Sequence, residues 1–296
     1  MIDVDVVIVS YNSRDELRAC VEPLARLENV RAIVVDNASQ DGSLASIADL
    51  RVEAIPLETN AGFAHGCNRG LRAGDARYVL FLNPDAVIEQ DGLASLIAEL
   101  DRNPAAGAVA PRIVHADDTI DYSIRRFPRL RSTYAQALFL HRVFPKATWT
   151  DEVVREPGAY AERSSPDWVS GACILARRSL LEELGGFDEG FFMYCEDIDL
   201  CRRIRDAGYD IVFEPSAQIV HEGGASAPRA SMLPILAASR LRYAEKHRGK
   251  LTGTLERMGI ALGALTHIVV SRGGSAMRAG HGRALRLAVF PSSAKS

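Results

Sequence analysis

The 296-residue sequence lacks an apolar run long enough to cross a membrane as a helix. Its five cysteines are an odd number and include no CxxC pair, so neither a disulfide framework nor a zinc site is expected. We expect reduced, mostly buried thiols. Residues 1–5 have no basic segment like that of a signal peptide, which favours a cytoplasmic protein. Apolar content of 47% and charged content of 25% exclude a disordered or collagen-like chain.

Three common phosphate-binding and catalytic motifs are also missing. No GxGxxG follows the first predicted strand, which argues against a dinucleotide-binding domain. No GxxxxGK[ST] and no GxSxG are present, which argues against a P-loop enzyme and an α/β-hydrolase.

The net charge of −3 is unevenly distributed. Residues 225–296 contain 12 lysines and arginines but 2 acidic residues, a balance of +10, and residues 1–224 therefore carry −13. We predict a domain over residues 1–225, with halves at 1–110 and 111–225, and a basic, partly helical extension over residues 226–296. The extension's charge suits a polyanionic neighbour, either an anionic membrane or nucleic acid.

Buried strands alternate with helices through the first third of the chain. The strands are rich in β-branched residues and nearly continuous in apolar character, as in parallel sheets. The predicted strands are 4–10, 32–35, 52–56 and 78–82, and the predicted helices are 14–27, 44–50, 63–71 and 91–100. This order indicates an α/β fold with a mostly parallel central sheet. Residues 111–166 are less regular, and residues beyond about 272 are expected to fray.

Polar clusters end three of the predicted strands, at Tyr11-Asn12, Asp36-Asn37 and Asn83-Pro84-Asp85. Ligands of open parallel sheets lie at the carboxyl ends of strands, so we expect these clusters to line one crevice. Asn and Asp are also ordinary turn residues, and any one cluster alone is read as a turn. A carboxylate at Asp85 suits Mg²⁺ or Mn²⁺, which in turn bind phosphate oxygens.

Two further segments carry candidate chemistry. The acidic cluster Glu196-Asp197-Ile198-Asp199 follows an aromatic run, 191–194, that would exclude water and favour a carboxylate base. Acidic residues also stabilise the first turn of a helix, and the sequence supports this structural role and the catalytic role equally. His221 precedes a glycine pair; a lone histidine is more often structural than a ligand.

Taken together, these residues resemble glycosyltransferase family 2 enzymes of the GT-A (nucleotide-diphospho-sugar transferase) fold, and in particular bacterial rhamnosyltransferases. The resemblance covers about residues 4–226. The matching segments are 6–12, 34–39, 60–63, 81–85, 168–171, 186–203 and His221.

The resemblance implies an inverting, metal-dependent glycosyltransferase with Asp197 as catalytic base and Asp85 and His221 as ligands of Mg²⁺ or Mn²⁺. Asn83 stands where the family's D-x-D motif usually has its first aspartate. The implied nucleotide-sugar residues are Ser10, Tyr11, Asn12, Asp36, Asn37, Asn60, Gly62, Asn68, Asn83 and Asp85. Trp168, Gly171 and Glu196 are expected to line the acceptor site.

The implied donor is dTDP-L-rhamnose, with UDP-sugars such as UDP-galactofuranose left open. The implied acceptor is a glycan or a polyprenyl-linked sugar of cell-envelope or polysaccharide synthesis. The basic extension would then lie on the inner face of the cytoplasmic membrane or, alternatively, pack on the domain or a second subunit as a homodimer. Arg125, Arg126, Arg129 and Arg131 could contact an acceptor diphosphate, with surface solvation as the favoured alternative.

Two other functions remain open at this point. A sugar nucleotidylyltransferase shares a similar fold but usually has a Gly-rich basic loop where this chain has residues 10–13. A non-catalytic sugar-nucleotide or glycan-binding protein is disfavoured by Asp85, Asp197 and His221. A nucleic-acid partner is not expected, because no recognition motif accompanies the basic extension.

Overall fold

A computed structural model describes residues 2–221, 223, 228–270 and 274–290 of the chain. The strands are β1 (Val4–Ser10), β2 (Val30–Asp36), β3 (Glu53–Pro56), β4 (Tyr78–Leu82), β5 (Ala86–Ile88), β6 (Ala106–Val114), β7 (Ile120–Asp121), β8 (Ile124–Arg125), β9 (Trp168–Val169), β10 (Cys173–Arg177) and β11 (Asp210–His221). The helices are α1 (Arg14–Ala25), α2 (Phe63–Ala73), α3 (Gln90–Arg102), α4 (Leu130–Ala137), α5 (Leu140–Val143), α6 (Arg178–Glu183), α7 (Glu196–Asp206), α8 (Arg229–His247), α9 (Lys250–Val270) and α10 (Gly274–Val289). Short 3₁₀ helices occupy Ser43–Ile47 and Pro157–Tyr160.

The central sheet has the strand order β3-β2-β1-β4-β10-β6-β11-β5, with β7 paired to β6. Strands β1 to β4 are mutually parallel and in register, so that Ser10 lies beside Asp36 and Ile8 beside Leu82. Strand β10 runs antiparallel to both of its neighbours, while β6 and β11 run parallel to each other. This is the predicted α/β fold with a mostly parallel sheet flanked by helices.

Buried aliphatic side chains explain the parallel half of the sheet. All seven residues of β1 and all five of β4 are buried. Leu17, Val21 and Leu24 of α1 pack against them in the main hydrophobic cluster. Strands covered on both faces require continuous apolar sequence, and the four predicted strands and the helices between them are confirmed with ends shifted by a few residues.

Other elements differ from the prediction. Strand β6 is not among the predicted strands, because its small residues and internal proline give a weak strand signal. Its last four residues lie in the segment 111–166 that the sequence predicts to be irregular. Strand β11 lies beyond the four strands predicted for the first third of the chain, and its pairing with β6 has a register shift between Glu214 and Gln218. The prediction of fraying beyond residue 272 is wrong for 274–289, which form α10; residues 271–273 and 291–296 lie outside the described part.

The chain divides into two compact units. The first, of residues 1–125, 155–190 and 197–226, contains the central sheet. A buried ion cluster supports it: Asp5 is fully buried and pairs with Arg178 at 2.7 Å and with Arg31 at 2.6 Å. All five cysteines of the chain are buried and form no disulfide, as predicted.

The second unit, of residues 126–154, 191–196 and 227–296, is helical and includes α4, α8, α9 and α10. Buried Glu256 of α9 accepts hydrogen bonds from Thr133 of α4 at 2.6 Å and from Arg248 at 2.8 Å. Gly280 of α10 permits a close approach to α8, because a Cβ there would lie 2.4 Å from the Ala230 carbonyl oxygen. No helix in the described part of the chain combines the length and apolar character that a membrane crossing requires. The predicted boundary between residues 225 and 226 stays a prediction.

Candidate active site

The carboxyl ends of β1 and β2 bring the first two polar clusters together. Asp36 is buried at the end of β2, and its carboxylate accepts hydrogen bonds from the Ser39 backbone N–H at 3.0 Å and the Ser39 hydroxyl at 2.5 Å. Asn37 donates its backbone N–H to the Ser10 carbonyl at 2.8 Å and its side-chain amide to the Gly62 carbonyl at 3.1 Å. Parallel pairing of the two strands fixes this arrangement.

Tyr11, Asn12 and Asn60 frame the same edge. Tyr11 is 41% exposed, and the next residue, Asn12, adopts φ of 51°. The Asn12 side-chain oxygen accepts a hydrogen bond from the Gln40 N–H at 2.8 Å, and the Asn60 side-chain oxygen accepts one from the Gly62 N–H at 3.0 Å. This edge therefore presents an exposed aromatic ring beside a fixed loop backbone.

Asn68, also predicted to contact the nucleotide sugar, has a defined structural environment. Its side-chain oxygen accepts from the Phe187 N–H at 2.8 Å, and its amide nitrogen donates to the Phe187 carbonyl and to Glu189, both at 2.9 Å. The buried amide thus holds the 187–189 loop against α2. Its assigned contact with substrate stays a prediction.

A second cluster forms where β5 pairs with the end of β11. The register places His221 opposite Ala86, so its ring reaches the residues that end β4. His221 Nε2 lies 3.1 Å from Asp85 Oδ1 and 3.3 Å from Asn83 Nδ2. Residues 138 positions apart in sequence are therefore in contact.

Two residues that contact His221, namely Asp121 and His115, are not among the site residues predicted from the sequence. Asp121 Oδ2 lies 3.8 Å from His221 Nδ1, and His115 Nδ1 donates to the His221 carbonyl oxygen at 3.0 Å. Both lie in the segment between β6 and β8, where two-residue strands leave no periodic signal in the sequence.

Opposing effects set the charges of the cluster. Burial alone would raise the pKa of Asp85, but the neighbouring His221 outweighs burial and lowers it. Burial likewise disfavours the charged imidazole, yet the carboxylates of Asp121 and Asp85 outweigh burial and raise the pKa of His221 to about 9. Without a bound cation, the ring is the positive charge between two carboxylates.

The spacing of Asp85 and His221 fits a divalent cation. An octahedral ion that binds two adjacent ligands at about 2.1 Å separates them by about 3 Å, close to the 3.1 Å between Oδ1 and Nε2. No group of three or more metal-ligating side chains occurs among residues 2–221, 223, 228–270 and 274–290. Mg²⁺ and Mn²⁺ sites with one or two protein ligands are completed by water and substrate phosphates, so a two-ligand site suits a phosphate-bearing substrate.

Asp197, the predicted base, lies at the start of α7. Its Oδ2 accepts a hydrogen bond from the Gly171 N–H at 3.0 Å, and its Oδ1 accepts one from the Ile198 N–H at 2.8 Å. Burial raises the pKa of Asp197, while these two N–H groups and the Arg125 guanidinium oppose the shift without cancelling it. Such a carboxylate is a stronger base than an exposed aspartate.

Gly171 contributes by having no side chain. A Cβ there would lie 3.1 Å from the Asp197 Cβ, tighter than ordinary contact. The next residue, Ala172, accepts a hydrogen bond from the Asn83 N–H at 2.9 Å. Two hydrogen bonds and one peptide link thus connect the β4 end, which carries Asp85, to Asp197.

Arg125 and Trp168 are neighbours on β8 and β9. Their backbones are paired, and the Arg125 guanidinium carbon lies 5.4 Å from the centre of the Trp168 ring. Arg125 Nε is buried with no hydrogen-bond partner among the described residues. The structure thus distinguishes Arg125 from Arg129 and Arg131, which are exposed.

Glu196, the remaining predicted acceptor-site residue, is buried at the first position of α7 and belongs to the second unit. Its predicted role, like the individual roles of the other site residues, stays a prediction.

Comparisons with known proteins agree on the class. A mannosyltransferase from Pyrobaculum calidifontis, solved with GDP-Man and Mn²⁺, superposes with a TM-score of 0.59 at 18% identity and covers 97% of this chain and 87% of its own. The fold is therefore that of the GT-A-like glycosyltransferases.

Sequence comparison narrows the class to one family. The model of glycosyl transferase family 2 matches residues 5–185. The Mycobacterium tuberculosis N-acetylglucosaminyl-diphospho-decaprenol L-rhamnosyltransferase is 32% identical over 262 residues, 82% of this chain and 85% of that protein. The Escherichia coli rhamnosyltransferase WbbL is 29% identical over 230 residues, 73% and 82% of the two chains. The chain belongs to glycosyl transferase family 2 and is a glycosyltransferase, which confirms the predicted family and enzyme class.

Proposed function

We propose that this protein transfers L-rhamnose from dTDP-L-rhamnose to a polyprenyl-diphosphate-linked sugar in cell-envelope or polysaccharide synthesis, with inversion at the anomeric carbon. The observation that carries the proposal is the contact of Asp85 with His221 at 3.1 Å. The end of β4, which carries Asp85, is in turn linked to Asp197 by hydrogen bonds through residues 171–172. The two rhamnosyltransferase relatives support the sugar, and the Mycobacterium tuberculosis relative supports the lipid-linked acceptor.

The donor's nucleotide is assigned to the edge formed by β1 and β2. Asn37 Oδ1 is buried and has no hydrogen-bond partner among the described residues, an arrangement that a base or ribose donor group would satisfy. Tyr11 is exposed beside it and offers a flat surface for a base. Asp85 and His221 would receive the diphosphate through a cation.

Asp85 and His221 would hold Mg²⁺ or Mn²⁺. When bound, this ion neutralises the charge that develops on the departing nucleoside diphosphate. Asp197 accepts the proton of the acceptor hydroxyl while the hydroxyl oxygen bonds to the anomeric carbon and the bond to the diphosphate oxygen breaks. One carboxylate base opposite one leaving group gives a single displacement, and hence inversion.

The direct test is a reaction of the purified chain with dTDP-L-rhamnose and polyprenyl-diphospho-N-acetylglucosamine, followed by mass spectrometry of the lipid product. UDP-galactofuranose, the alternative donor, is run in parallel. We expect a rhamnosylated product, its formation abolished by a chelator and restored by Mn²⁺ or Mg²⁺. Galactofuranosyl product alone would assign the alternative donor, and undiminished transfer with the chelator would refute the metal role.

We further propose that the second unit contacts the inner face of the cytoplasmic membrane. On α9, Leu251, Met258, Leu265 and Val269 are each at least 50% exposed, and at 100° per residue they fall within an arc of about 40°. A line of exposed apolar side chains on a basic helical unit suits the boundary of an anionic bilayer. A second copy of the chain is the alternative occupant of this line.

Co-sedimentation of the full chain with vesicles tests the membrane contact. Paired Met258→Glu and Leu265→Glu substitutions should abolish binding to phosphatidylglycerol vesicles, whereas Met258→Leu with Leu265→Ile should preserve it. Equal binding by both variants would refute the contact. Loss of a dimer in the glutamate variant, with no vesicle binding by the parent, would assign the line to a second copy.

A further inference from the structure

The His221 ring has different surroundings at its two nitrogens. Nε2 faces Asp85 at 3.1 Å and Asn83 at 3.3 Å, on the side assigned to the cation. Nδ1 is buried, has no hydrogen-bond partner among the described residues, and lies 3.8 Å from Asp121 Oδ2. The ring is thus held between two carboxylates that could each attract an N–H.

The fold holds Asp121 in this position through backbone pairing. Asp121 ends β7, which pairs with β6 so that Asp121 lies beside Ile113. Ile113 in turn lies beside Ile219 of β11, two residues before His221. The Asp121 carboxylate and the imidazole therefore approach each other across the end of one strand.

Asp121 is the carboxylate on the Nδ1 side of the ring, and Asp85 is the carboxylate on the Nε2 side. His115 donates its Nδ1–H to the His221 carbonyl, which fixes the strand end but does not touch the ring nitrogens. Asp121 is consequently the carboxylate available to Nδ1.

A histidine binds a cation through the lone pair of one ring nitrogen. The other nitrogen then carries a proton, and a carboxylate that accepts this proton sets which nitrogen is which. We infer that Asp121 is a positioning residue that holds the His221 Nδ1–H and so directs the Nε2 lone pair toward the cation shared with Asp85. This inference rests on the metal-dependent function proposed above.

The test measures Mn²⁺ affinity rather than turnover. Electron paramagnetic resonance of free Mn²⁺ is followed during titration of the full chain with saturating dTDP, and in parallel with UDP. Asp121→Asn should weaken Mn²⁺ binding about 10- to 100-fold. The matched control is Asp118→Asn on the same hairpin, an exposed residue that should leave the affinity unchanged.

Partial recovery of affinity by Asp121→Glu, with melting temperatures near that of the parent, would mark a carboxylate role rather than general support of the fold. Parent-like Mn²⁺ affinity in a folded Asp121→Asn variant would overturn the inference and leave the metal role intact. Absence of Mn²⁺ binding by the parent would overturn both.

A measurement on the parent protein covers the case in which Asp121→Asn fails to fold. Nitrogen-15 shifts of the His221 ring with Mg²⁺ and dTDP should report a protonated Nδ1. A protonated Nε2 would overturn the inference.

Discussion

Replacement of Asp197 by asparagine tests the assignment of the base most sharply. The two side chains have the same shape, but the amide cannot accept the acceptor's proton. General-base catalysis contributes about 10²–10⁴-fold, equivalent to about 2.7–5.5 kcal/mol of barrier, so turnover should fall by that factor.

The fold should survive this change. The carboxylate accepts hydrogen bonds from the Gly171 and Ile198 N–H groups, and the amide can accept only one of them, at a cost of about 1 kcal/mol. Burial raises the folded-state pKa of Asp197, so ionising it above that pKa costs stability, and the neutral amide avoids this cost. The two effects oppose each other, and we expect a change in melting temperature of no more than about 4 °C.

The assay compares parent and variant by release of nucleoside diphosphate in the presence of acceptor, and by calorimetric titration with the sugar nucleotide. Turnover should collapse while the donor dissociation constant stays within about twofold, because the base acts on the acceptor. Turnover within a factor of three of the parent would refute the assignment.

Three further predictions follow from single contacts. Because burial raises the pKa of Asp197, the acid limb of the turnover–pH profile should lie above the ordinary aspartate value of about 3.9, and a limb at or below that value would contradict this. Gly171→Ala, which crowds the Asp197 Cβ at 3.1 Å, should lower turnover more than donor affinity; equal turnover would show that the contact relaxes without consequence. Asp5→Ala leaves the buried Arg178 without its carboxylate and should cost about 3–5 kcal/mol in chemical denaturation, whereas a loss below 1 kcal/mol would contradict a structural role.

The parallel half of the sheet could be predicted because its strands need apolar residues on both faces. The sequences of strands β1 and β4 are nearly unbroken apolar runs, and a polar cluster follows each of them. The candidate residues at those ends, such as Asp36 and Asp85, follow directly from this pattern.

The rest depends on pairing between distant segments. The contact of His221 with Asp85 requires the antiparallel register of β11 on β5, which no local pattern encodes. Asp121 lies on a two-residue strand that exists only because β6 lies beside it. The glycines and alanines of α10 predict a frayed segment, because no local pattern shows that Gly280 allows close packing against α8.

The most direct test of the account is anomalous diffraction from crystals soaked with Mn²⁺ and a nucleoside diphosphate. We expect one manganese peak within about 2.3 Å of both Asp85 Oδ1 and His221 Nε2, with the diphosphate completing the coordination of the ion. A nucleotide bound at the ends of β1 and β2 with manganese at neither side chain would contradict it.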